Sequence, residues 1–265
     1  MKNHIVIALL LLSSCKKNTS IDDFQKSNLK SDQASILKST IKSKGIKNLQ
    51  ELKTRKDSLL SYSQVKASIL ELKKEWGHLD NIKDTLSYVF KEQLLNRIIP
   101  YWEGTTWSFE GHSAIPQKGE IACGYFVSTT LKDVGLNINK YRLAQQNPFL
   151  EAKSLALTSE VIHISNSSIN KNINEINDLV PEGIHFIGFN QSHVGFILKE
   201  GNQLYLIHSN YVNSEGVLIE KIESSEVFKF YSQFYIVELS TNKKLLDYWL
   251  SDKEVKVFTN NNNEL

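Results

Sequence analysis

The feature that most constrains the fold is a series of five short β-rich segments in the second half of the chain. They read IHFIGFN, SHVGFILK, QLYLIHSN, GVLIEKI and QFYIVELS, with turns between them. Short strands joined by tight turns pair in an antiparallel manner. Because helical patterns precede this meander, the order of elements predicts an α+β domain in which helices pack on an antiparallel sheet.

Two helical patterns stand before the sheet. In SQVKASILELKKEW, apolar residues recur at helical spacing, and Ser63 is the expected cap. A second apolar stripe runs through DTLSYVFKEQLLNRIIP, where Pro100 is expected to end the helix. We therefore expect a basic helical region at residues 32–80, followed by the domain that contains the sheet at residues 81–250.

The first fifteen residues, MKNHIVIALLLLSSC, carry a lysine, a short apolar run and small residues before Cys15. The run is too short to span a bilayer as a mature helix and is typical of a secretory signal. Its ending, LSSC, resembles a bacterial lipobox, which implies cleavage before Cys15 and a lipid on its sulfur. The alternative is an ordinary signal peptide that contains a cysteine. We expect a lipid anchor in the cell envelope, facing the periplasm, and a polar tether at residues 16–31.

The charge of the whole chain indicates no particular partner. The 31 basic and 29 acidic residues give a net charge of +2, but residues 16–75 hold 14 basic and 7 acidic side chains. Such a stretch either attracts anionic lipid or cell-wall carboxylates, or forms the solvated face of helices. The sequence has no phosphate-binding glycine loop and no nucleic-acid signature, so no nucleic-acid partner is expected.

Cys123 is the only cysteine besides Cys15, and it becomes a free thiol if Cys15 is lipidated. In KGEIACGYFVSTTLKDVG, a turn is followed by apolar residues at helical spacing, and Gly135 ends the pattern. Cys123 would then lie in the first helical turn, where unpaired N–H groups and the helix dipole favour a thiolate. The alternative is a small buried core residue.

Two histidines fall on the neighbouring segments SHVGFILK and QLYLIHSN. A connection of two or four residues would put His193 and His208 on the same sheet face, and Gly195 would leave room for a close approach. A three-residue turn would instead point His208 to the opposite face. Asn210 has the same parity as His208 and is the alternative polar partner for His193.

The order of a cysteine at a helix start, SHVGFIL on one strand and LIHSN on the next resembles the NlpC/P60 superfamily of papain-like cysteine peptidases. The resemblance spans roughly residues 115–210 and implies a papain-like domain preceded by N-terminal helices. It makes Cys123 the nucleophile, His193 the base and His208 the third polar residue. The chain departs from the family pattern at Ala122 and Gly124, where the family often has Asp and Ser.

Other residues are weaker candidates for a functional site. Trp102, Trp107, Phe109 and His112 precede the cysteine and form either an aromatic rim for substrate or a loop packed under the helix. The remaining histidines lack metal-ligand spacing, so neither a metal nor a cofactor is expected. The Asn-rich end of the chain is expected to be disordered over residues 251–265.

Together these inferences predict a membrane-anchored cysteine hydrolase. The resemblance implies amide cleavage in the peptide stems of peptidoglycan, through a thioester on Cys123 with His193 as base. One alternative is a non-catalytic envelope lipoprotein that binds a wall peptide or a protein partner on the same fold. Another is a transferase that uses the same thioester.

Overall fold

The computed structural model describes residues 60–77, 83–190 and 192–260. The predicted signal peptide, Cys15, the tether and most of the basic region lie outside these residues. Within the described part, no helix is both long enough and apolar enough to cross a membrane.

Helix α1 spans Tyr62–Trp76 and begins two residues earlier than expected. Ser61, not Ser63, is the cap: its side chain accepts from the Gln64 N–H, and the Gln64 side chain accepts from the Ser61 N–H. This capping box satisfies two N–H groups that the helix itself leaves free. The N-terminal boundary is therefore set by the Ser61–Gln64 pair.

The second helical stretch continues through Pro100. It consists of α2 (Lys83–Glu92), a π-helical segment (Gln93–Ile98) and α3 (Ile99–Trp102). The expectation that Pro100 ends the helix is wrong because Pro100 lies in the first turn of the restarted α3 segment. A proline is tolerated there, since its missing N–H would have no helical partner in any case.

Six strands form one antiparallel sheet, which confirms the α+β prediction. The strands are β1 (Ile162–Ser165), β2 (Gly183–Phe189), β3 (His193–Glu200), β4 (Gln203–Asn210), β5 (Gly216–Lys221) and β6 (Gln233–Glu238). Their spatial order is β1-β6-β2-β3-β4-β5, and each neighbouring pair is antiparallel. Strands β2 to β5 thus form a meander of hairpins, as the short turns indicated.

Helices cover both faces of the sheet. Helix α4 (Cys123–Asp133) packs on one face, where the rings of Phe126 and Phe196 meet edge to face at 5.9 Å. The short α5 (Lys140–Ala144) leads into α6 (Pro148–Ala156), which packs on the same face beside Gly188. The other face packs against α7 (Ile169–Leu179) and α8 (Glu226–Phe230), and it forms an apolar core around Ile187 and Ile197.

Helix α1 packs into the same folded body as the residues after 83. The Tyr62 hydroxyl donates to Asp133 at 2.7 Å and accepts from the Trp102 indole N–H at 2.8 Å. These bonds tie α1 to both α3 and the end of α4. In the described residues, the boundary expected at residue 80 does not separate two packed units.

The chain end is packed up to residue 260, contrary to the expectation of a disordered tail from residue 251. Helix α9 (Lys243–Ser251) precedes it, and the Val255 N–H then donates to the Asn137 carbonyl at 2.8 Å. The Phe258 N–H donates to Ser154 Oγ at 2.9 Å. Apolar Val255 and Val257 are buried, and this burial holds the segment against the body. Residues 261–265 lie outside the described part.

Candidate active site

Cys123 is the first residue of α4, as predicted. Ala122 is the extended residue before it and offers no side-chain cap. Ser209 on β4 donates its hydroxyl to the Ile121 carbonyl at 2.7 Å, so the chain just before the cysteine is fastened to the strand that carries His208. Sequence spacing does not predict this contact, because the two residues lie 88 positions apart in the chain.

The thiol is half-buried, and its environment favours the protonated form. Burial raises the pKa of Cys123 to about 11, with a further contribution from the nearby Glu151. The N–H groups of Val194, Gly124 and Cys123 itself act in the opposite direction and only partly offset the burial. The expectation of a resting thiolate at the helix start is therefore wrong: desolvation outweighs the N–H groups there.

His193 and His208 lie on the same face of the sheet and are hydrogen bonded. Glu200 is paired with Gln203, so the β3–β4 connection has the two residues that the same-face prediction requires. Nε2 of His193 lies 2.8 Å from Nδ1 of His208. This confirms the expectation that His208 lies on the same sheet face as His193, close enough for a hydrogen bond.

Gly195 makes this approach possible. A Cβ added to Gly195 would lie 2.8 Å from the Ile207 carbonyl oxygen and 2.9 Å from the His208 Cβ. Real Cβ atoms do not approach that closely, so any side chain at this position would displace β4 or the His208 side chain. The space beside Gly195, which the sequence predicted for a close approach, is occupied by His208 and the Ile207 carbonyl group.

Glu220 extends the histidine pair into a chain of three side chains. Its Oε1 lies 3.0 Å from Nε2 of His208. A carboxylate only accepts, so His208 Nε2 carries the proton and its Nδ1 accepts from Nε2–H of His193. His193 Nδ1 is then the unprotonated nitrogen. Glu220 could have been suspected from one signal, an acid inside the otherwise apolar GVLIEKI strand.

Burial keeps both imidazoles neutral at rest. Burial lowers the pKa of His193 well below its ordinary value, and the neighbouring His208 lowers it further. Burial also lowers the pKa of His208, although Glu220 opposes this. For Glu220, burial raises the pKa, but hydrogen bonds from His208 and Ser225 outweigh it and the net pKa is lowered. Glu220 is thus the ionised end of the chain.

Cys123 and His193 line the same cavity, which has a volume of about 410 Å³. Aromatic side chains contribute much of its wall, and the lining consists of Trp107, Phe109, Ala122, Cys123, Gly124, Tyr125, Ala144, Gln146, Pro148, Glu151, Ser192, His193, Val194 and Tyr211. The Tyr211 ring stands edge to face against the His193 ring at 5.4 Å. Among the described side chains, no hydrogen bond joins the thiol to the imidazole.

The predicted rim residues divide into two groups. Trp107 and Phe109 line the cavity, and Phe109 is 79% exposed. Trp102 does not line the cavity. It is fully buried against Tyr62, so its assignment to substrate binding is wrong. His112 is exposed, bonds the Glu110 carbonyl at 2.8 Å and is not part of the cavity lining.

Asn210 is occupied elsewhere. Its Nδ2 donates to Glu215 at 2.8 Å and its Oδ1 accepts from the Val212 N–H at 2.9 Å. These bonds order the turn after β4. The polar partner of His193 is therefore His208 and not Asn210.

Two further histidines of the described residues, His163 and His185, make structural contacts. His185 is buried, bonds the Pro181 carbonyl at 2.9 Å, and has its pKa lowered to about 4 by burial. His163 stacks on the Tyr235 ring at 5.1 Å. Within the described ranges, no group of three or more His, Cys, Asp and Glu side chains could hold a metal ion. The expectation of no metal or cofactor stays a prediction.

One departure from the NlpC/P60 pattern has a local steric reason. A Cβ at Gly124 would lie 2.8 Å from the carbonyl oxygen of Ala144, at the end of α5. A serine after the cysteine would therefore collide with the helix that leads into α6. The absence of that serine follows from how α5 packs against the start of α4.

Comparison with known proteins finds no protein-family model that matches the chain, and no curated protein that is significantly similar to it.

Proposed function

We propose that this protein is a cysteine hydrolase of the papain-like, NlpC/P60 type that cleaves amide bonds through a thioester on Cys123. The observation that carries the proposal is the chain from Glu220 through His208 to His193, which leaves His193 Nδ1 unprotonated, together with the cavity that His193 and Cys123 both line. A sheet needs no such chain for packing. Its chemical use is a base of fixed tautomer next to a nucleophile.

The first half of the reaction begins with a neutral pair. Because burial raises the pKa of the thiol and lowers that of His193, the proton moves only as the sulfur attacks the amide carbonyl. His193 Nδ1 takes the thiol proton, the S–C bond forms, and the carbonyl oxygen becomes an oxyanion. Rotation of the Cys123 side chain toward the imidazole accompanies this step, since resting geometry in such sites is often loose.

The second half releases both products. N–H groups at the start of α4, including that of Gly124, are available to the oxyanion at the positive end of the helix. The intermediate expels the amine, which takes the proton from His193. Water then attacks the thioester with His193 again as base, giving a carboxylic acid and restoring the thiol. His208 accepts from Nε2–H of His193 throughout.

The proposed substrates are the peptide stems of peptidoglycan. This part of the proposal rests on the resemblance to NlpC/P60 proteins and on the lipobox-like LSSC at Cys15, which would hold the protein on a membrane close to the wall. Labelling of growing cells with an isotopic fatty acid checks the anchor: the label should appear on the wild type and be lost from Cys15→Ala.

The test of function is digestion of purified peptidoglycan by the protein without its first fifteen residues. We expect new amino and carboxyl groups, detected by mass spectrometry, and loss of activity by a factor of at least about 10³ in Cys123→Ala. The control is thermal unfolding, which should change little because the thiol is only half-buried. Equal digestion by Cys123→Ala would exclude the nucleophile.

The raised thiol pKa favours a second candidate, a non-catalytic protein that binds a wall peptide. It predicts that stem peptides bind but are not cleaved, and that Cys123→Ala leaves their affinity unchanged. Turnover by the wild type, or a peptide thioester trapped on Cys123, would support the hydrolase and exclude the non-catalytic protein.

A further inference from the structure

Glu151 is a buried carboxyl with no role in the proposed mechanism. It lies in the first turns of α6, is only 2% exposed, and lines the cavity that holds Cys123. Its Oε2 has no hydrogen-bond partner within the described part of the chain. Among the described residues, the cavity lining contains no lysine or arginine. A buried carboxyl oxygen without a hydrogen-bond partner is unfavourable for folding, so the position of Glu151 in this cavity points to a ligand.

The residues that line the cavity around Glu151 indicate the charge of that ligand. Trp107, Phe109, Tyr125 and Tyr211 contribute aromatic rings to the same cavity. Aromatic faces and a carboxylate both attract a cation, whereas an anionic ligand would need arginine or lysine in the lining. The cavity therefore suits a positively charged group of modest size.

We propose that this cavity binds a primary ammonium group of the substrate, with Glu151 as its counter-ion, close to the amide that Cys123 attacks. The inference rests on the proposed function and adds the substrate class: peptides that carry a free amino group beside the cleaved bond. On binding, the carboxylic acid of Glu151 loses its proton to solvent and forms an ion pair with the ammonium group.

The charge of Glu151 explains why the ammonium group also matters for reaction. Burial holds the pKa of Glu151 well above its ordinary value, so the empty cavity contains the neutral acid. An ionised Glu151 without a cation would raise the pKa of Cys123 and oppose the oxyanion. A bound ammonium group cancels this effect, and a substrate without one leaves a buried acid unpaired.

Few other titratable groups act on this carboxyl. The cavity lining itself contributes the Cys123 thiol, the His193 ring and the phenols of Tyr125 and Tyr211. The elements packed against α6 carry titratable groups that do not line the cavity, namely Lys140, Tyr141 and Arg142 of α5, His185 of β2, and Tyr235 and Glu238 of β6. Proton release on binding is therefore assigned to Glu151.

The kinetic test compares stem peptides released from peptidoglycan before and after acetylation of their amino groups. We expect the wild type to prefer the free amine by about 10–100-fold in kcat/KM, the range of a hydrogen bond to a charged group. Glu151→Gln should lose this preference, mainly through KM. Glu160→Gln removes an acid from an exposed position and should keep it.

A binding test separates this inference from the proposed function. Calorimetry on Cys123→Ala uses alanyl-alanine amide and its N-acetyl form as probes. Tighter binding of the free amine, with release of close to one proton, supports the ammonium site even if no peptide is hydrolysed. Equal binding of both probes, or turnover of both peptide forms at equal kcat/KM, overturns the site and leaves the hydrolase intact. The probe comparison needs no Glu151 variant, so it holds if Glu151→Gln fails to fold.

Discussion

Glu220 determines which nitrogen of each histidine carries a proton. Its carboxylate accepts from His208 Nε2, and that single bond fixes the direction of the His208–His193 bond as well. Without the carboxylate, both imidazoles could adopt the other tautomer. His193 Nδ1 would then already carry a proton and could not accept one from the thiol, as the proposed mechanism requires. Glu220, which does not line the cavity with Cys123, therefore sets the tautomer of the proposed base, His193.

Glu220→Gln should lower kcat/KM by about 10–100-fold, because a hydrogen bond to a charged group is worth roughly 1.5–3 kcal/mol. The carboxylate raises the pKa of His208, so its loss should also move the acid limb of the pH–rate profile to lower pH. Steady-state kinetics between pH 4 and 8 measures both effects. The control, Glu223→Gln, changes an exposed acid bonded to Gln203 and should behave as wild type. An unaltered acid limb in Glu220→Gln would contradict the relay.

The sequence predicted those site residues whose positions follow from local periodicity. Strand parity and a two-residue turn suffice to place His193 and His208 together, and a helix start suffices for Cys123. Glu220 and Glu151 were missed because their importance depends on what surrounds them in three dimensions. The thiol pKa was wrongly predicted for the same reason, since burial is a property of the packed chain.

At the scale of elements, the β3–β4 hairpin is held to one register by Gly195. The residue lies beside His208, and the surrounding backbone leaves no space for a Cβ. The alternation of apolar residues was enough to predict both strands, but not the closeness of their backbones. Helix boundaries were harder to predict, because spacing alone reveals neither the capping hydrogen bonds of Ser61 nor the restart of the helix that accommodates Pro100 in its first turn.

Gly195→Ala should destabilise the protein by about 1–3 kcal/mol, the usual range for an overpacked site. It should also reduce activity further than stability alone explains, because the new methyl group pushes on the His208 Cβ. Denaturant unfolding and kcat measured on the folded fraction separate the two effects. Gly77→Ala is the matched control, since its Cβ would meet nothing closer than 3.4 Å. Wild-type kcat in Gly195→Ala would show that His208 tolerates displacement.

At the scale of the molecule, the described part of the chain buries three histidines whose pKa values burial lowers: His185, His193 and His208. The unfolded chain protonates them near pH 6.5, whereas the folded chain resists until lower pH. Between these values the unfolded state binds more protons, so stability falls as the pH falls. Glu151 acts in the opposite sense, because its raised pKa makes the folded state bind the extra proton above pH 4.5.

We expect the free energy of unfolding to decrease from pH 6.5 toward pH 4. His185 alone should account for about 3 kcal/mol, given its pKa of about 4. His185→Gln keeps a side-chain N–H for the Pro181 carbonyl but cannot titrate, so the slope of stability against pH should drop by close to one proton. Urea unfolding at several pH values measures this slope. His163→Gln, at the exposed ring stacked on Tyr235, should leave it unchanged.

The far end of helix α4 is held by both ends of the described chain. The Lys73 ammonium donates to the Gly135 carbonyl, the Trp249 indole N–H donates to the Val134 carbonyl, and the Val255 N–H donates to the Asn137 carbonyl. A chain that emerges from its N-terminus, from a ribosome or through a membrane, cannot form the last of these bonds until residue 255 is free. The last of these contacts at the far end of α4 therefore forms only after residue 255 has been released, and a chain interrupted before that residue lacks it.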